Sequence, residues 1–103
     1  MKAKNCLLTL IFPKAIEEQM VALMLMQHEL ASGFTTTDVE GHGRNASLQS
    51  MGEKVRGRAR RVQMKVVLND TDVPALLAHL KEKLGNADIV YWLCPVMEFG
   101  SFL

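Results

Sequence analysis

The apolar positions of this chain form two copies of one pattern, separated by a long polar stretch. In the first copy Cys6–Phe12 is a near-continuous apolar run that reads as a strand covered on both faces. Pro13 follows, then a helical pattern from about Ala15 to Ala31, a stop at Ser32-Gly33, and a threonine-rich strand over Phe34–Glu40. In the second copy Val62, Met64, Val66 and Leu68 alternate along a strand over Val62–Leu68. Asn69-Asp70-Thr71-Asp72 then leads into a helix over Val73–Leu84, with Asp72 as its N-cap, Pro74 in its first turn and Gly85 as its stop. Ile89–Met97 is the last strand.

The order β-α-β, loop, β-α-β predicts an α+β, ferredoxin-like fold: a four-stranded antiparallel sheet with both helices on one face. At 103 residues the chain has room for one domain, 1–103. Two helices cover one side of the sheet, so the apolar residues on the far side of the first strand require another cover. A second copy of the sheet is the simplest one, and the expectation is a homo-oligomer. Met20–Met26 is apolar around nearly the whole helix circumference, which fits either a wide core-facing stripe or a partner surface.

Charge adds the second feature. From His42 to Arg61 the chain carries Arg44, Lys54, Arg56, Arg58, Arg60 and Arg61 against Glu53, a net +5 in twenty residues. The flanking segments are each −2, so the total is only +1. A loop of this length in a compact domain is usually functional or disordered. Binding to phosphates is one reading of the arginines and docking on a protein is another. The strands lack the stacked aromatics of an RNA-recognition sheet, which argues against nucleic acid.

Catalytic and metal chemistry find little support. His28, His42 and His79 are scattered, no Cys-His set or acidic calcium loop appears, and the seven methionines read as core packing. No serine sits in a nucleophile motif, so no catalytic residue is assigned. The sequence after the first strand, Phe12-Pro13-Lys14-Ala15, is not an arginine-bearing phosphate loop of the acylphosphatase kind. Cys6 and Cys94 fall in apolar runs, and both are expected to be reduced and buried. The apolar run near the start is too short to span a membrane and reads as the first strand of a cytoplasmic protein.

One segment resembles a known family. Gly33-Phe34-Thr35-Thr36-Thr37-Asp38-Val39-Glu40-Gly41-His42-Gly43-Arg44-Asn45 is similar to the strand that enters the T-loop of PII signal-transduction proteins, which typically read G-[MF]-T-x-[TS]-[ED]-V-x-G-x-G-R-Q. Arg61–Asp70 is similar to their third strand and the turn after it. The likeness runs over residues 4–97 and points to the small PII-like families of undefined function in proteobacteria, some encoded beside heavy-metal efflux systems.

The resemblance implies a ferredoxin-like homotrimer whose sheets pack around the threefold axis. It also implies nucleotide clefts between subunits and a T-loop, here about 42–61, that regulates transporters, enzymes or transcription factors. Thr35, Arg44 and Asn45 match positions that line the family's nucleotide cleft, Asn45 standing where glutamine is usual. The family's lysine-bearing phosphate loop has no counterpart in Leu84-Gly85-Asn86-Ala87-Asp88, and no arginine follows the last strand. Tight ATP binding and a resident cofactor are therefore not expected. The expected function is non-enzymatic regulation, with Lys54, Arg56, Arg58, Arg60 and Arg61 docking on a partner protein such as a transporter or metal-efflux component. The alternatives are a ferredoxin-like nucleic-acid-binding module and a metal-responsive protein of the divalent-cation-tolerance type.

Overall fold

A computed structural model describes residues 3–43 and 59–103. The element order is β1 (Cys6–Pro13), a 3₁₀ turn (Lys14–Ile16), α1 (Glu17–Met26), β2 (Thr35–Gly41), β3 (Ala59–Leu68), a second 3₁₀ turn (Asp70–Asp72), α2 (Val73–Leu84) and β4 (Val90–Pro95). The strands form one sheet in the order β2-β3-β1-β4, and every neighbouring pair is antiparallel. This is the ferredoxin-like plan that the apolar pattern predicts.

Register divides the sheet into two faces. Cys6, Leu8, Leu10 and Phe12 stand opposite Leu68, Val66, Met64 and Val62. All eight are buried, with Met20 and Met24 of α1 and Val73, Leu76 and Leu80 of α2 closing the core over them. The period of two then places Leu7, Thr9 and Ile11 on the other face, beside Val67, Lys65 and Gln63 of β3 and Cys94, Trp92 and Val90 of β4.

Several local expectations change. α1 ends at Met26, where Gln27 N–H bonds to the Met24 carbonyl, three residues back rather than four. Such tightening satisfies the last carbonyls without a glycine and leaves Gln27–Leu30 as turns. Of the apolar run in α1, Met20 and Met24 enter the core, whereas Leu25 and Met26 are exposed. The turn before α2 is capped by Asn69, not Asp72. The Asn69 Oδ1 accepts from Thr71 N–H at 2.9 Å and from Thr71 Oγ1 at 2.6 Å, and Asp72 makes no side-chain cap bond. Asn69 Nδ2 also donates to the Ala3 carbonyl, which ties this turn to the start of β1. Gly85 takes φ +61° at the end of α2, a left-handed value that favours glycine.

β3 begins at Ala59, so Arg60 and Arg61 belong to a strand and not to the basic loop. Cys6 is buried as expected, and burial pushes its thiol up from the usual 9.0, with Asp70 and Cys94 adding to the shift. Cys94 is exposed, because β4 is an edge strand with no residue buried.

Candidate functional site

The open face of the sheet and the base of the 42–58 connection carry the features that the core does not explain. β2 and β3 are adjacent and antiparallel, with Gly41 paired to Ala59. Two to five residues suffice to join such a hairpin. Here residues 42–58 intervene, and they carry Arg44, Lys54, Arg56 and Arg58 against Glu53, a net +3.

Four groups organise the base of this connection. Lys14, just after β1, reaches Asp38 of β2 and Glu17 of α1, both at 2.7 Å. The hydrogen bond to Asp38, then that to Glu17, raise the Lys14 ammonium above its usual 10.5. Arg60 is exposed and stands directly across the ladder from Glu40. Arg61, its neighbour, lies on the opposite face with only 6% exposed and pairs with Asp88 at 3.0 Å. Gly41 makes room for it, since a Cβ there would meet Arg61 Cγ at 3.1 Å and Nε at 3.3 Å. Lys14, Asp38, Glu40, Arg60 and Arg61 line an open concavity of about 550 Å³ in which cations and carboxylates alternate. The pairs already formed make it a structural junction between β1, β2, β3 and the α2–β4 connection.

Among the described residues, the three singled out by sequence, Thr35, Arg60 and Arg61, are not gathered in one place. Thr35 is exposed at the start of β2, paired with Lys65. Gly41, where the connection begins, is six residues along the strand and so about 20 Å away. Arg44, Asn45, Lys54, Arg56 and Arg58 lie outside the described residues. Arg60 stays at the surface beside the connection, while Arg61 is a correction: its guanidinium is committed to Asp88 and is not available as a loop contact. Lys14 and Asp88 escaped the sequence reading. Their partners are 24 and 27 residues away, and only strand register brings them together.

On the open face Leu7, Ile11 and Val67 are partly buried and Val90 and Trp92 exposed, an apolar band along β1 and β4. Among the described residues no group of three or more His, Cys, Asp or Glu could hold a metal ion. No helix among them is long and apolar enough to cross a membrane.

Comparison with known proteins agrees with this geometry. Residues 2–103 match the family described as proteins of unknown function, DUF3240. No curated protein matches by sequence. A DUF3240 family protein from Shewanella baltica is similar in structure, with a TM-score of 0.77, 22% identity, and 99% of this chain and 100% of that one covered. CPII, a nitrogen regulatory PII-like protein from Thiomonas intermedia seen with ADP, AMP and bicarbonate, is similar at a TM-score of 0.67 and 15% identity, covering 89% of each chain. CutA from Synechococcus elongatus is similar at a TM-score of 0.68 and 17% identity, covering 94% of this chain and 85% of that one. The chain thus belongs to the DUF3240 family and has the ferredoxin-like fold of PII-like proteins.

Proposed function

We propose that this chain is a non-catalytic, PII-like regulatory protein that works as a homotrimer and docks its basic segment, from residue 42 through Arg60, on a partner protein. A transporter or metal-efflux component is the partner class that the resemblance suggests. The observation that carries the reading is the hairpin between β2 and β3. It spends residues 42–58 on a connection that needs only a few, and it places a net +3 there while the rest of the chain sums to −2.

Two features support the trimer. Covering only one face of the sheet leaves the band of Leu7, Ile11, Val67, Val90 and Trp92 to be met by other copies. Gly41, where the basic segment begins, also stands some 20 Å from Thr35 on one chain, which suits the intersubunit cleft that the resemblance implies.

A nucleotide is held weakly, if at all, in this reading. Where the resemblance calls for a lysine-bearing phosphate loop, the α2–β4 connection carries no lysine or arginine, and the nearby Arg61 is already paired with Asp88. Each charge-assisted bond to phosphate is worth about 1.5–3 kcal/mol, so losing two or three takes a micromolar site to millimolar.

The test is the triple variant Arg56→Ala, Arg58→Ala, Arg60→Ala, compared with wild type in affinity capture from cognate cell extract. The variant should melt within a few degrees of wild type and lose the captured protein, through a slower and less salt-dependent association. Unfolding of the triple variant would make these arginines structural. Loss of generic RNA or DNA binding with no protein captured would replace this reading by the nucleic-acid one.

A further inference from the structure

We infer that residues 96–103 of one copy seat on a second copy of the chain, with Phe102 and Leu103 in the apolar groove between α2 and β4. The inference rests on the self-association proposed above and names a contact within it. The groove has a volume of about 340 Å³ and is walled by Leu10, Leu77, Leu80, Leu84, Ile89 and Tyr91. β4, the edge strand on one side of it, has no buried residue. Tyr91 and Leu93 point to the helix face, yet each remains about half exposed (53% and 47%).

The segment after β4 has the complementary character. Met97, Phe102 and Leu103 are 102%, 108% and 115% exposed, so they touch almost nothing of their own chain. An apolar segment and an apolar groove left open in the same molecule are each a liability in water, and one intermolecular contact covers both. Charge agrees: Glu98 is the only ionisable side chain of the segment, and Lys81 stands on the lining of the groove.

On its observed path the segment stays out of the chain's own groove, since Phe102 and Leu103 are fully exposed. Val96 N–H bonds to the Asn5 carbonyl, and the Phe99 ring lies 4.6 Å from Lys4 Nζ, which also donates to Ser32 Oγ. The groove of another copy is then the available seat, in a head-to-tail contact that forms a ring when its rotation closes.

The experiment uses the whole chain and sedimentation equilibrium of wild type, Phe102→Ser/Leu103→Ser, and Ala78→Glu, which puts a carboxylate on the exposed wall of the groove. Circular dichroism shows whether each variant folds. Both variants should weaken subunit association by about 100-fold or more, the effect of withdrawing two buried apolar side chains. A second arm mixes Ala78→Cys and Phe102→Cys chains, each also carrying Cys94→Ser, under mild oxidation. The expected product is a disulfide joining one of each. An assembly as tight in both variants as in wild type would overturn the seat and leave the sheet-mediated assembly standing. A monomeric wild type would overturn both. A disulfide within single chains carrying both cysteines, formed at high dilution, would replace the second copy by the chain's own segment folding back.

Discussion

Replacing Arg61 by alanine should destabilise the protein by about 2–3 kcal/mol, whereas replacing its neighbour Arg60 should cost less than about 1 kcal/mol. The two arginines are adjacent in sequence and indistinguishable by composition. Arg61 is buried against Asp88 at 3.0 Å and under Gly41, while Arg60 is exposed across from Glu40. A charge-assisted bond contributes about 1.5–3 kcal/mol when well shielded. Because the Asp88 side chain is 46% exposed and rehydrates when left alone, the lower end, about 1–1.5 kcal/mol, applies here. Alanine also removes two methylenes from the buried stem, at about 0.8 kcal/mol each.

The assay is thermal unfolding followed by circular dichroism, with protein concentration held fixed because assembly shifts the melting temperature. For a domain of this size the Arg61→Ala loss corresponds to a fall of roughly 10–20 °C. Arg61→Met keeps most of the stem and drops the charge, and should sit within about 1 kcal/mol of wild type. Asp88→Ala, which leaves the guanidinium buried with fewer partners, should cost more than Arg61→Met. The reasoning is refuted if Arg61→Ala melts with wild type, or if Arg60→Ala loses as much.

Two further outcomes follow from the same geometry. A thiol reagent at neutral pH should label Cys94 quickly and Cys6 only on unfolding, since Cys6 is buried and its thiol is pushed up while Cys94 lies on an exposed edge; equal labelling of both in the native protein would contradict the burial. Lys14 is bound more tightly to its proton in the folded state, so its contribution to stability is complete below pH 10.5 and is lost as pH rises through the raised folded value. Lys14→Met should therefore soften the alkaline fall in stability, and a change confined to acid pH would count against the Asp38 and Glu17 contacts.

Much of the fold was legible because a few signals had one physical meaning. The near-continuous apolar run Cys6–Phe12 marks a strand with apolar side chains on both faces, and β1 is a central strand. Pro74 and Gly85 bracket a helix whose observed bounds are Val73–Leu84, as the sequence predicts. What failed to show depends on register. Cys94 sits in the apolar run of the last strand and is expected to be buried, yet the strand's place at the sheet edge leaves Cys94 and Trp92 exposed. Arg61 reads as one more loop cation, because burial of its side chain depends on a strand that starts at Ala59 and a carboxylate 27 residues on. The end of α1 at Met26 has no sequence mark at all, since the chain tightens there by an i−3 hydrogen bond without glycine or proline. For the site, the charge asymmetry of 42–61 was visible, but its division into a connection and a strand was not.

The account stands most directly on the open face of the sheet. Sedimentation equilibrium of the full chain across the micromolar range measures whether that face is met by other copies. Three chains per particle is the predicted result, with Trp92→Glu shifting the mass toward one chain because it puts a charge in the band of Leu7, Ile11, Val67 and Val90. A wild-type chain that stays monomeric throughout that range would contradict the trimer, the intersubunit cleft and the regulatory reading built on them.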